Sequence, residues 1–308
     1  MFGKNLLGIP TNFLEKSFTF SLEVHNVYRK ACIHDELSIK SGKMNNEQSK
    51  SLFQTLSVRK GDVISFVGGG GKTSAIFSLA DDLTLKGYSV LITTTTAIFH
   101  PDEEGRRYHK LIMGEVEEVA AALNSESAEI TIAAASIQQS DRKLQGFKPE
   151  TIDGFRKTSV FDFILVEADG AKQLAVKAPA AHEPVIPSLT DLVVGVVGLD
   201  CLGKAVNPNF VHRVDLFSDI TGIPADRPIT KESINSLVFA PNGLFKNAPS
   251  GSRRILILNK ADTRDMLRKG VETADLIWQS KTGGHSLESV LVCCLKRNDP
   301  VLEVFSTL

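Results

Sequence analysis

Asp62-Val-Ile-Ser-Phe-Val-Gly-Gly-Gly-Gly-Lys-Thr-Ser74 decides how this chain is read. An apolar run, Val63 to Val67, leads into Gly68, Gly69, Gly70 and Gly71, and Lys72, Thr73 and Ser74 then open a helix-patterned segment. Strand, glycine loop, helix is the order in which proteins build a phosphate cradle. Glycines let several backbone N–H groups curl inward, and the helix N-terminus adds the positive end of its dipole. In such a cradle the Lys72 ammonium reaches the β- and γ-phosphates, and the Thr73 hydroxyl ligates Mg2+. The strict spacing G-x-x-x-x-G-K-[ST] asks for glycine at position 66, where this chain carries Phe66.

Outward from the loop, Ile76, Leu79, Ala80 and Leu83 fall at i, i+3, i+4 and i+7, one face of an amphipathic helix, and Gly87 supplies its stop. Leu52, Phe53 and Leu56 predict a short helix before the loop. A second strand, 89–93, runs into Thr93-Thr94-Thr95-Thr96. Further strands are predicted at 110–113, 129–134, 161–166, 192–197, 254–258 and 289–295. Helices are expected around Val116, Val119, Ala120 and Leu123, at 149–157, 211–221 and 230–238, and along Leu267, Val271, Ala274 and Trp278. Asp299-Pro300 is an N-cap and N1 pair that predicts a terminal helix. Continuous apolar strands alternating with amphipathic helices give an α/β fold, P-loop NTPase-like, with a mainly parallel sheet covered on both faces. A ligand is then expected outside the carboxyl ends of the strands.

Residues 47–308 read as one nucleotide-binding domain. Residues 1–46 form an extension with a single period-2 segment, Phe18 to Val24, followed by a polar, linker-like stretch. Of 308 residues, 42% are hydrophobic and 23% charged, enough for a soluble globular core. The net charge of −1 argues against nucleic acid or an anionic membrane as the main partner, since either needs a basic face. No apolar run approaches the ~20 residues of a membrane span. The four cysteines, Cys32, Cys201, Cys293 and Cys294, lack metal-ligand spacing and read as reduced thiols. A cytoplasmic location is expected, with organelle targeting by the N-terminal extension left open.

Four motifs fall at predicted strand ends. Besides the glycine loop there is the threonine cluster, whose hydroxyls, Thr95 among them, suit Mg2+ or a γ-phosphate. The third is Glu167-Ala-Asp-Gly170. A carboxylate ending a buried strand orients Mg2+ or its waters, with Glu167 and Asp169 both candidates, and Gly170 allows close backbone approach to phosphate. The fourth is Asn259-Lys260-Ala261-Asp262. The Asp262 carboxylate offers two acceptors to the N1–H and N2–H2 donors of guanine, Asn259 can bridge base and loop, and Lys260 can lie over the ring. No second guanine motif is visible at Cys293-Cys294-Leu295, so GTP rests on Asp262 and ATP stays open.

In this order the motifs resemble the P-loop GTPases that serve as metallocentre accessory proteins. More narrowly, residues 66–74, Thr93–Thr96, Val166–Ala171, Lys177–Pro187 and Val211-His-Arg213 resemble the YqeC-type proteins, regarded as accessory factors of selenium-dependent molybdenum hydroxylases. That resemblance covers roughly 47–308. It implies a P-loop fold and a part in maturing a molybdenum hydroxylase, with an apo-enzyme or a cofactor-maturation protein as partner. Val67 stands where a deviant-loop ATPase branch carries an extra lysine.

The expected activity is Mg2+-dependent nucleotide binding and slow hydrolysis, with Lys72, Glu167 and Asp169 as catalytic groups. A kinase or nucleotidyltransferase with a small molecule held by residues 177–187 and Arg213 is the alternative, and a scaffold without turnover a third. His182 and Glu183 read as part of a proline-stiffened structural loop, His212-Arg213 as a surface pair. His100 is a further candidate for contact with the site.

Overall fold

The computed structural model describes residues 50–114, 116–121, 128–138, 142–280 and 287–307. The chain divides into Met1–Gln48 and Ser49–Leu308. The first unit, with the strand predicted at 18–24, lies outside the described residues, as do Cys32 and Leu123.

The elements follow the predicted alternation. They begin with α1 (Leu52–Leu56), β1 (Val63–Gly68), α2 (Lys72–Leu85), β2 (Val90–Thr94), β3 (Ala97–Phe99) and β4 (Lys110–Met113). Next come α3 (Val116–Ala121), β5 (Ile130–Ala134), β6 (Ser136–Gln138), β7 (Lys143–Gln145), α4 (Pro149–Thr158) and β8 (Phe163–Glu167). They continue with β9 (Val176–Lys177), β10 (Leu192–Gly198), β11 (Val211–His212), α5 (Val214–Thr221) and α6 (Lys231–Phe239). The last are β12 (Arg253–Asn259), α7 (Arg264–Gln279), β13 (Ser289–Cys293) and β14 (Val301–Ser306).

Nine strands form one sheet in the order β14-β13-β12-β10-β1-β8-β2-β5-β4. Every pairing in it is parallel except β13 with β14. This is an α/β fold with a mainly parallel sheet. Every residue of β1, β2, β5, β8, β10 and β13 is buried, as strands covered on both faces require. On one face Ile64 and Phe66 pack with Ala75, Ile76, Leu79 and Leu83 of α2 and with Leu52 and Leu56 of α1. On the other, Val63, Leu91 and Ile164 meet Ile152 and Phe155 of α4. On that same face Val193, Val197, Leu256 and Val292 meet residues of α5, α6 and α7. Sequence periodicity found the right stripe of α2. For α7 the buried line is Gly270, Thr273, Ala274 and Ile277, rotated from the predicted Leu267, Val271, Ala274, Trp278. A Cβ at Gly270 would meet Val292 at 2.7 Å, so this helix lies too close to the sheet for a larger residue at the contact.

Two predictions are corrected. The terminal helix is absent: Val301–Ser306 is an antiparallel edge strand whose Val301 also pairs with the Lys50 backbone. Val301-Leu-Glu-Val-Phe305 is rich in β-branched and aromatic side chains, and pairing with β13 overrides the Asp299-Pro300 start signal. Residues 211–212 are strand rather than helix, pairing with Val176 and Lys177; α5 starts only at Val214, after Arg213 at φ 71°. A small antiparallel sheet, β3-β7-β6, was not foreseen. Its strands are three residues each, too short to show a period.

Candidate functional site

Sheet register aligns the predicted motifs. Phe66 pairs with Glu167, Gly68 with Val196, Thr94 with Glu167, and Gly198 with Asn259, so the ends of β1, β2, β8, β10 and β12 form one row. The glycine loop leaves β1 in the middle of that row. It is held tightly: Gly69 N–H donates to Val196 O at 2.9 Å and Gly70 N–H to Leu174 O at 2.8 Å. Gly70 (φ 75°) and Gly71 (φ 133°) adopt backbone shapes that favour glycine. A Cβ on Gly70 would lie 2.2 Å from Gly198 N, and one on Gly71 would lie 2.3 Å from the Asn259 side chain. Gly170 differs, with nothing within 4 Å of an added Cβ. The first helical bond of α2 runs from Ala75 N–H to Gly71 O, so the N–H groups of Lys72, Thr73 and Ser74 precede the ladder at the positive end of the helix.

Charged groups meet beneath this loop. The Lys72 ammonium donates to Gly68 O at 2.7 Å and lies 3.1 Å from Asp169 Oδ1 and 3.7 Å from Glu167 Oε1. Asp169 Oδ2 accepts from Gly68 N–H at 3.0 Å. Thr73 Oγ1 donates to Glu167 Oε2 at 2.9 Å. Burial works against the charge on Lys72, but the Asp169 and Glu167 carboxylates outweigh it and hold the ammonium above its usual value. For Glu167 burial wins and raises the carboxyl, against the pull of Lys72 and Thr73.

The network continues to Lys177, whose Nζ lies 3.2 Å from Asp169 Oδ2 and 2.9 Å from Glu183 Oε2. Arg213 Nη1 approaches the same Glu183 oxygen at 2.5 Å and donates to Ala178 O. Burial pushes the Glu183 carboxyl up, but Arg213 and Lys177 pull it down to about 2. The pair His212-Arg213 is therefore not a surface pair, since Arg213 is tied into the buried network. His182, by contrast, is exposed on the loop formed by residues 177–187. That loop is stitched to the strand ends: Val185 N–H donates to Ala168 O, and Thr95 Oγ1 donates to Val185 O at 2.7 Å. Thr93 and Thr94 hydroxyls donate to Ala133 O and Glu167 O. The threonine hydroxyls thus act as clamps, leaving only oxygen lone pairs for a ligand. His100 is buried as the cap of a turn at Pro101–Glu104, its Nδ1 accepting from Asp102 N–H.

At the far end of the row, the Asn259 side-chain amide donates to Gly70 O at 2.8 Å and its Oδ1 accepts from Leu295 N–H at 3.1 Å. Lys260, at φ 72°, pairs with Asp200 at 2.7 Å. Asp262 accepts from the Cys294 thiol at 3.0 Å, with Lys296 at 3.8 Å. Cys201, Cys293 and Cys294 are buried free thiols, and burial pushes Cys201 up to about 12.

Two residues not among the predicted catalytic, nucleotide or metal groups also touch the site: Lys177, at the head of the 177–187 stretch, and Arg106. Lys177 carried one signal, a lone charge within Ala175-Val-Lys-Ala-Pro-Ala-Ala181. Arg106 carried none: its Nη2 donates to Ser74 Oγ at 3.1 Å across 32 positions of sequence, and its guanidinium lies over Phe77.

Comparison with known proteins agrees with the resemblance at family level. The model of the YqeC protein family matches residues 64–215. The chain is 39% identical over 198 residues to the uncharacterized protein YqeC of Escherichia coli (strain K12), spanning 64% of this chain and 75% of that protein. This chain belongs to the YqeC family. The YqeC match runs from β1 into α5 and so takes in the loop, Glu167, Asp169, Lys177, Glu183 and Arg213. Asn259 and Asp262 lie beyond it. Among the described residues no helix is long and apolar enough to cross a membrane.

Proposed function

We propose that this protein binds a Mg2+-complexed nucleoside triphosphate, GTP, at the glycine loop and hydrolyses it slowly. One observation carries this reading: the Asn259 amide donates to Gly70 O, joining the N-K-x-D stretch to the glycine loop across 189 positions of sequence. Chance occurrences of two short motifs have no reason to meet in one hydrogen bond at the carboxyl ends of parallel strands.

The donor set suits Mg2+. Thr73 and Glu167 are hard oxygen ligands already in contact, and Glu167 is a buried carboxyl that a cation would favour in its charged form. Asp169 is committed to Gly68 N–H, Lys72 and Lys177, so Thr73 and Glu167 are the pair that would hold the metal. No group of three or more His, Cys, Asp or Glu among the described residues is arranged for a metal. Mg2+ commonly takes only one or two protein ligands and completes its shell with phosphate and water. When bound it would neutralise charge on the phosphate oxygens.

The chain's own residues do the rest. Lys72 exchanges Gly68 O for phosphate oxygens, the N–H groups of Lys72, Thr73 and Ser74 face the anion, and Arg106 sits at the Ser74 end of the cradle. Catalysis on this reading is positioning and charge stabilisation. Asp262 supplies the preference for guanine, at a cost to adenine of ~1–3 kcal/mol for a carboxylate left without its donors.

The client follows from the family resemblance: an accessory role in maturing a molybdenum hydroxylase, gated by nucleotide state. The test is a binding panel of GTP and ATP, with and without Mg2+, on the native chain and Asp262→Ala. Mg2+-dependent binding that favours GTP, with the preference lost in the variant, is expected. Equal affinity for both nucleotides, unchanged by Asp262→Ala, ends the guanine assignment. Titration of a purified hydroxylase apo-enzyme against the GTP and GDP states tests the client.

A further inference from the structure

Lys177 is the most deeply buried charged side chain in the network, with no solvent exposure at all. Its Nζ lies 3.2 Å from Asp169 Oδ2 and 2.9 Å from Glu183 Oε2, and these two carboxylates are its partners. A buried ammonium is costly and calls for an explanation. Its neighbour supplies one. Asp169 lies against two cations, Lys72 on Oδ1 and Lys177 on Oδ2, while accepting from Gly68 N–H. The network as a whole balances Lys72, Lys177 and Arg213 against Glu167, Asp169 and Glu183.

The two cations on Asp169 are not equivalent. Lys72 belongs to the loop and also donates to a backbone oxygen that it can exchange. Lys177 sits on β9, whose partner β11 leads into Arg213, and its other ion pair is to Glu183 rather than to an atom of the loop. If Lys72 turns to a phosphate, Asp169 loses one cation and stays buried at 2% exposure. A buried carboxylate with no cation destabilises its surroundings. With Lys177 in place, it stays compensated and keeps its hold on Gly68 N–H.

We infer that Lys177 is a positioning residue: it holds Asp169 on Gly68 N–H and so keeps the glycine loop in shape while Lys72 leaves to bind phosphate. The inference deepens the nucleotide reading and rests on it for the departure of Lys72. Its electrostatic core, two lysines sharing one carboxylate, is independent of any ligand.

The experiment therefore has one arm without nucleotide. Urea unfolding is measured for the full chain and for Lys72→Met, Lys177→Met, the double variant, and Lys177→Met with Asp169→Asn. The double variant should lose more stability than the two single losses added together, because only it strips Asp169 of both cations. Asp169→Asn should restore most of what Lys177→Met loses, which a packing role for the lysine stem would not do. If Lys177→Met does not fold, Lys177→Met/Asp169→Asn must fold. Additive losses, or no recovery with Asp169→Asn, overturn the inference.

The second arm measures Mg2+–GTP affinity. Lys177→Met should weaken it by about tenfold or more, and Asp169→Asn in that background should recover it. Unchanged affinity in Lys177→Met overturns the positioning role. Absence of binding by the native chain would overturn the nucleotide reading and with it the Lys72 step, while the unfolding arm still decides whether the two lysines share Asp169.

Discussion

At the glycine loop Lys72, Glu167, Asp169 and Lys177 are all buried and paired, whereas along the same row of strand ends Asp262 has a side chain 39% exposed. The partners differ as much as the burial. Asp169 holds a backbone N–H and two ammonium groups, while Asp262 has a thiol at 3.0 Å and a lysine at 3.8 Å. Buried ion pairs fix geometry and resist screening by salt; exposed ones contribute little. The loop end is thus shaped before any ligand arrives. On the proposed reading, Asp262 would discriminate only once a base covers it and removes water.

Substitutions at two glycines should break this contrast most sharply. Gly70→Ala drives a Cβ against Gly198 N and Ala175 O, both backbone atoms that cannot give, at a φ of 75°. A loss of about 3 kcal/mol or more in urea unfolding is expected, with loss of nucleotide binding. Gly170→Ala meets nothing and should change stability by no more than about 0.5 kcal/mol. Asn259→Ala comes next, because it leaves Gly70 O and Leu295 N–H without their partner. It should cost ~1–3 kcal/mol and loosen the link between the two ends, measured by the same unfolding curves.

Asp262→Ala is expected to leave stability within about 0.5 kcal/mol, as for an exposed side chain, while removing the preference for GTP over ATP. A large stability loss there would erase the contrast between the ends. Acid stability gives a further test of the buried end. Burial, with the charges of Arg213, Lys177 and Lys172, holds His212 down to about 4 from 6.5. Glu183 is held at about 2 from 4.5. In both cases the folded state binds fewer protons than the unfolded chain, so stability falls as pH drops, first from 6.5 towards 4 and then from 4.5 towards 2. His212→Gln should flatten the upper window of a pH–stability profile and leave the lower one in place.

The strands that carry the site were legible because parallel strands covered on both faces are largely apolar, and β1, β8, β10 and the Ile255–Leu258 part of β12 read so. Loop, carboxylates and N-K-x-D were legible as short strings fixed in place by those strand ends. β14 was missed because a local cap signal at Asp299-Pro300 spoke for a helix, and pairing with β13 is a long-range fact. Lys177 and Arg106 were missed for the same physical reason. A buried cation is identified by its partners, and Glu183 reaches Lys177 through a loop while Ser74 and Arg106 meet across β2, β3 and the turn at Pro101–Glu104. Which carboxylate turns to which part of the loop likewise needed geometry: Asp169 accepts from Gly68 N–H, and Glu167 from the Thr73 hydroxyl.

The central claim is that the loop from Gly68 to Thr73 binds nucleotide phosphates through Lys72. Titration of a fluorescent GTP analogue in Mg2+ against the native chain and Lys72→Ala tests it most directly. Saturable binding by the native chain, weakened about tenfold or more by the substitution, is predicted. No binding by the native chain, or equal binding by the variant, would contradict it.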